Sequence, residues 1–118
     1  MATLFLEMAA EGEIKAAYDK FIASNFIHHN QYFKGDRQSL MTAMEEAHKI
    51  SPNKSIEVKH IFEDGDTVLT HSLVTRKKNQ ELPIAVIHIF RFKNNKVVEL
   101  WDFGQEILKN SPNENGVF

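Results

Sequence analysis

Two apolar segments near the C-terminal end carry ionisable groups: His88 stands within Ile84 to Phe92, and Asp102 within Lys96 to Gln105. An imidazole whose ordinary pKa is close to 6.5 works as a general acid or base near neutrality. A neighbouring carboxylate orients one ring nitrogen and favours the imidazolium, which leaves the other nitrogen for a ligand. Further candidates are the run His28-His29-Asn30 and the isolated His71. Six histidines also raise the question of a metal, but zinc and iron sites draw on close ligand pairs, such as i, i+4 on a helix or i, i+2 on a strand. No such pair occurs here, and the adjacent His28 and His29 cannot easily face one ion, so no metal is expected.

Elements that could position these groups follow from periodicity. Leu4, Phe5, Met8 and Ala9 predict a short helix over residues 2 to 11, ended by Gly12. Ile14, Ala17, Tyr18, Phe21 and Ile22 form one apolar stripe of a second helix over Glu13 to Ala23, and Ser24-Asn25 then opens an irregular segment over Phe26 to Phe33. Asp36 is the expected N-cap of a third helix that buries Leu40, Met41, Met44 and Ala47 and stops at Ser51-Pro52-Asn53. The period then becomes alternating. Strands are predicted over 54 to 63, 66 to 76, 82 to 92 and 96 to 105, joined by Asp64-Gly65, by a polar loop through Lys77 to Gln80, and by Asn94-Asn95. On the first of them Ile56, Val58, His60 and Phe62 are expected to share a face, with His60 structural.

Helices followed by an antiparallel meander make an α+β domain, and 118 residues suffice for one such domain, spanning 1 to 118. With 42% hydrophobic and 25% charged residues the composition is that of a globular protein, and a net charge of −2 argues against nucleic-acid binding. No stretch approaches the length of a membrane span, and the N-terminal segment lacks a signal-peptide pattern, so a cytoplasmic location is expected. The absence of Cys removes disulfides and thiolate chemistry. Within the last two strands periodicity alone leaves open which face meets a pocket, because both faces carry apolar residues.

Four motifs in order resemble the SnoaL-like branch of the nuclear transport factor 2-like superfamily, a group that includes polyketide cyclases. They are Phe26-Ile27-x-His29-Asn30; Glu63-Asp64-Gly65-Asp66-x-Val68-x-x-His71; Ile89-Phe90-Arg91-Phe92 with Lys96-Val97-Val98-Glu99-x-Trp101-Asp102-x-x-Gln105; and the tail from Ser111 to Phe118. The resemblance implies a cystatin/NTF2-like cone: a strongly curved antiparallel sheet around a deep pocket, with the N-terminal helices packed on it. It places the acid and base positions at His88 and Asp102, where relatives often carry Asp in place of His88, and with them Val86, Phe90 and Leu100 in the pocket. The family's His-Asn pair maps onto His29-Asn30 at the pocket mouth, with His28 directed elsewhere, and His71 matches a further motif position. Trp101 either walls the cavity or packs beneath the helices, and Arg91 with Glu99 is expected to form an ion pair across the last hairpin.

The expected function is that of a cofactor-independent isomerase or cyclase acting next to a carbonyl on a small hydrophobic substrate. Asp102 would be the base or orienting carboxylate, His88 the proton donor, and His29 with His71 the groups polarising the substrate oxygen. The alternatives are a non-catalytic small-molecule binder and an epoxide hydrolase or dehydratase, which needs a held water for which Asn30 and Tyr32 are candidates. A homodimer is expected by resemblance, with Ile87, Ile89 and Val97 as its outward apolar residues.

Overall fold

The computed structural model describes residues 1–76 and 81–118, so the expected polar loop through Lys77 to Gln80 lies outside the described residues. Helix α1 (Ala2–Ala10) buries Phe5 and Leu6, and helix α2 (Ile14–Phe21) buries Ile14, Ala17, Tyr18 and Phe21. Gly12 makes the turn between them at φ +92°, where the His48 ring leaves no room for a side chain. Helix α3 (Arg37–Ile50) starts at Asp36, whose carboxylate accepts from the Ser39 backbone N–H at 3.0 Å. Among the described residues no helix is long and apolar enough to cross a membrane.

Strands β1 (Ile22–His29), β2 (Lys54–Asp64), β3 (Thr67–Arg76), β4 (Ile84–Lys93) and β5 (Lys96–Glu106) form one sheet in the order β1-β5-β4-β3-β2. Pairing is antiparallel from β2 to β5, and β1 joins the edge parallel to β5. Asn94 and Asn95, both at positive φ, turn β4 into β5 as a two-residue hairpin requires. The helices pack on one face of this curled sheet, and the core between them centres on Phe5, Tyr18, Phe21, Phe90, Val97 and Leu100. This is the α+β cone that the sequence predicts.

The structure corrects three local expectations. Helix α2 ends at Phe21, and residues 22 to 29 are strand, not helix end and irregular segment. Pairing with β5, at Ile22 opposite Val97 and again from Ile27 opposite Glu99 to His29 opposite Trp101, holds the segment extended, and the register is interrupted between Ile22 and Ile27, where Ser24-Asn25 fall. On β2 a bulge after Val58 shifts the phase, so Ile56 and Val58 face the core while His60 and Phe62 fall on the outer side, with Phe62 64% exposed. A second bulge, where Arg91 pairs Glu99 but Phe92 pairs Val97, turns Val97 inward, where it is 1% exposed and unavailable to an outer surface.

Candidate functional site

Opposite the helices, the inner face of β3 to β5 carries a lateral polar row. His88 on β4 is paired with Asp102 on β5 and with Thr70 on β3, so all three side chains project to the same side. That side opens into a cavity of about 600 Å³. Its walls come from α1 (Phe5, Leu6), α3 (Leu40, Met44) and the sheet (Val86, Leu100), with His88, Asp102 and Asn30 as polar groups at one end and Lys54, Arg76 and Glu81 among the others that line it. Most of the lining is apolar, which suits a hydrophobic guest with one polar handle.

Asp102 is the best-supported side chain of the site. Its Oδ2 lies 2.6 Å from His28 Nε2, and its Oδ1 accepts from Asn30 Nδ2. Asn30 Oδ1 in turn accepts from the Tyr32 backbone N–H at 3.0 Å, which fixes the amide so that its NH2 faces Asp102. The His28 side chain has no exposure, and its Nδ1 is buried without a partner. Nε2 is therefore the ring nitrogen that donates to the carboxylate. Burial works against ionisation of Asp102, but the hydrogen bonds from His28 and Asn30 outweigh it and hold the carboxyl below its ordinary value.

His88 has the opposite electrostatics. Burial pushes its pKa down to about 4, against the attraction of Asp102 and with the help of His28, so the ring is neutral at pH 7. Its Nδ1 is sealed and unpaired. This leaves Nε2 as the ring nitrogen that reaches the cavity, and a proton there avoids an orphaned buried N–H.

Of the residues expected in the pocket, Asn30, Val86, His88, Leu100 and Asp102 line the cavity, whereas His29, His71, Phe90 and Trp101 do not. His29 lies on the outer face, its Nε2 2.6 Å from Glu99 Oε2 and its ring stacked on Trp101 at 4.8 Å. Adjacent strand residues alternate in direction, so His28, expected to point away, is the one that turns inward. Trp101 shares the outer face with His29 and neither walls the cavity nor packs beneath the helices. His71 also faces outward, its Nδ1 3.2 Å from His60 Nδ1 and its ring against Phe118. Phe90 is wholly buried against Phe5 as core. The expected ion pair is present: Arg91 reaches Glu99 Oε1 through Nη2 at 2.8 Å and Nε at 2.9 Å.

Sequence reasoning missed His28, Lys54 and Arg76, of which the last two line the cavity. For His28 the available signal was Phe26-x-His28, an in-phase apolar partner that points inward once this segment is strand. Among the described residues no group of three or more His, Asp or Glu side chains is arranged to hold a metal ion.

Comparison with known proteins bears on this architecture. The SnoaL-like domain family matches residues 2–100. AclR of Streptomyces galilaeus, a proposed hydroxylase, superposes with a TM-score of 0.73 at 24% identity, over 89% of this chain and 78% of its own. A proposed polyketide cyclase of Bacillus cereus gives 0.76 at 20% identity, over 88% and 72%, and IdmH of Streptomyces antibioticus, another proposed polyketide cyclase, gives 0.74 at 15% identity, over 87% and 88%. No curated protein matches the chain. With the family match covering most of its length and the cone reproduced in these structures, the chain belongs to the SnoaL-like domain family.

Proposed function

We propose that this SnoaL-like protein is a cofactor-independent acid–base catalyst, an isomerase or cyclase that works next to a carbonyl on a small hydrophobic substrate. One observation carries the reading: an ionised Asp102, held by His28 and Asn30, stands beside a neutral His88 on the wall of an apolar cavity. The substrate carbonyl oxygen accepts a hydrogen bond from His88 Nε2–H, and Asp102 takes a proton from the carbon next to that carbonyl. The C–H electron pair becomes the enolate, stabilised at oxygen by His88. The proton then returns at another carbon, or the enolate carbon attacks a second carbonyl of the same molecule, whose π electrons move to its oxygen, and the resulting alkoxide takes the proton back from Asp102. An apolar ligand that expels water strengthens the desolvation already acting on Asp102 and makes it a better base.

His29 and His71, on the outer face, take no part in this scheme. The names of IdmH and the Bacillus cereus protein as proposed cyclases agree with it. Opening of an epoxide is less well supported, because Asn30, although it lines the cavity, has its amide engaged by Asp102, and Tyr32 is 82% exposed and outside the lining, so the two candidates do not converge on a water. A second copy of the chain is proposed to cover the outer sheet face, where Ile87, Ile89 and Trp101 surround Phe103, itself 64% exposed.

The test is a thermal-shift screen of carbonyl compounds, with each stabilising compound then assayed for turnover. Wild type is expected to convert at least one of them, with a loss of about a hundredfold or more in Asp102→Asn. Equal turnover by Asp102→Asn would refute the reading.

A further inference from the structure

The cavity has a second polar end. Lys54 and Arg76 are direct partners across β2 and β3, in phase with Ile56 and Val74, and both line the cavity. Like charges placed opposite each other repel, so each needs an anion. Arg76 has its own: Nη1 lies 2.9 Å from Glu81 Oε2 and Nη2 3.4 Å from Glu106 Oε2, while Nε and Nη2 also donate to the Leu82 carbonyl at 3.1 and 2.6 Å. Lys54 does not share in this. Among the described residues no carboxylate oxygen lies within 4.0 Å of its ammonium. Burial lowers the Lys54 pKa, Glu81 opposes that and Arg76 adds to it, the signature of a half-buried cation short of a counter-charge.

This end is well separated from the acid–base pair. Arg76 lies six residues along β3 from Thr70, the partner of His88, or roughly 20 Å of strand, which the long side chains shorten. Ile56, Val74, Ile84 and Val86 line the space between. We propose that the cavity takes a carbonyl compound bearing a carboxylate at its far end, with Lys54 binding the carboxylate and the apolar wall accommodating a medium-length chain or ring system between the two groups. The proposal rests on the acid–base reading for the role of the carbonyl, and it names the substrate class. A monoanion fits better than a phosphate, because Glu81 lines the same end and repels a second negative charge.

Calorimetric titration with octanoate and methyl octanoate isolates this end of the site, since neither probe needs the catalytic pair. Wild type should bind octanoate about tenfold more tightly than the ester, as a charge-assisted contact implies. Lys54→Met should bring the two affinities together, Lys54→Arg should keep the preference, and Val86→Trp should weaken both probes by filling the cavity. Equal affinities in wild type, a preference untouched by Lys54→Met, or no binding of octanoate would overturn the inference. Ester binding that is lost in Val86→Trp, without any acid preference, would remove the carboxylate and leave the acid–base reading standing. Lys54-dependent binding without turnover of any carbonyl compound would instead count against that reading.

Discussion

His28 Nε2 stands 2.6 Å from Asp102 Oδ2, whereas His88, the residue directly opposite Asp102 on β4, forms no hydrogen bond to it among the described residues. The two imidazoles therefore differ in what they do. His28 comes diagonally from β1 and fixes the carboxylate, while His88 keeps a nitrogen for the cavity. A carboxylate at the His88 position would put two acids on this wall. Here a neutral donor stands beside a single anion, an arrangement suited to polarising a carbonyl as its α-proton leaves.

Replacing His28 should cost more than replacing its neighbour. His28→Phe removes a buried N–H from an ionised acceptor, and a loss of about 1–3 kcal/mol is expected in urea unfolding at pH 7, with turnover reduced at least about tenfold. His29→Ala, whose partner Glu99 keeps Arg91, should cost about 1 kcal/mol or less and leave turnover unchanged. The reverse ranking would contradict the assignment of the inward ring.

Stability should fall in acid through two successive windows. The pKa of His88 is about 4 in the folded chain against 6.5 ordinarily, so its contribution is complete above pH 6.5 and is lost as the unfolded state takes up the proton between 6.5 and about 4. The whole effect is about 3 kcal/mol. Asp102 is also depressed, so its contribution is full above the ordinary carboxylate value of about 3.9 and disappears only below that. Urea midpoints measured from pH 7.5 to 4.5 should drop in wild type and stay flatter in His88→Phe. Parallel curves would show that His88 is not a buried neutral ring.

Much of the cone was legible in the chain itself. The apolar stripe of α2, the Asp36 cap, the alternation of β2 to β5 and the Asn94-Asn95 turn follow from local chemistry, whereas on α3 only Leu40 of the expected face is fully buried and Ala47 is exposed, and on α1 Leu4 is exposed. Strand β1 was hidden because its partner β5 lies some seventy residues away in sequence, while Ser24-Asn25 mimics a local stop. Bulges hid the rest. One extra residue after Val58 and another near Val98 invert the face of everything beyond, so Phe62 and Val97 were assigned to the wrong sides. The site was half visible: His88, Asp102, Asn30, Val86 and Leu100 reach the cavity, but choosing between His28 and His29 required knowing that the segment is a strand.

The outer sheet face gives a separate prediction. With Phe103 exposed beside Ile89 and Trp101, wild type should sediment as a dimer, and Ile89→Asp combined with Phe103→Asp should sediment as a monomer with unchanged circular dichroism. A wild-type monomer at micromolar concentration would remove the proposed second copy without touching the cavity.

Loss of α-proton signal from β-tetralone in deuterium oxide, followed by proton NMR at neutral pD, addresses the acid–base pair most directly. Wild type should accelerate the exchange over buffer, His29→Ala should match wild type, His88→Phe should be slower, and Asp102→Asn should be slower by about a hundredfold or more. Exchange in Asp102→Asn as fast as in wild type would contradict the assignment of Asp102 as the base.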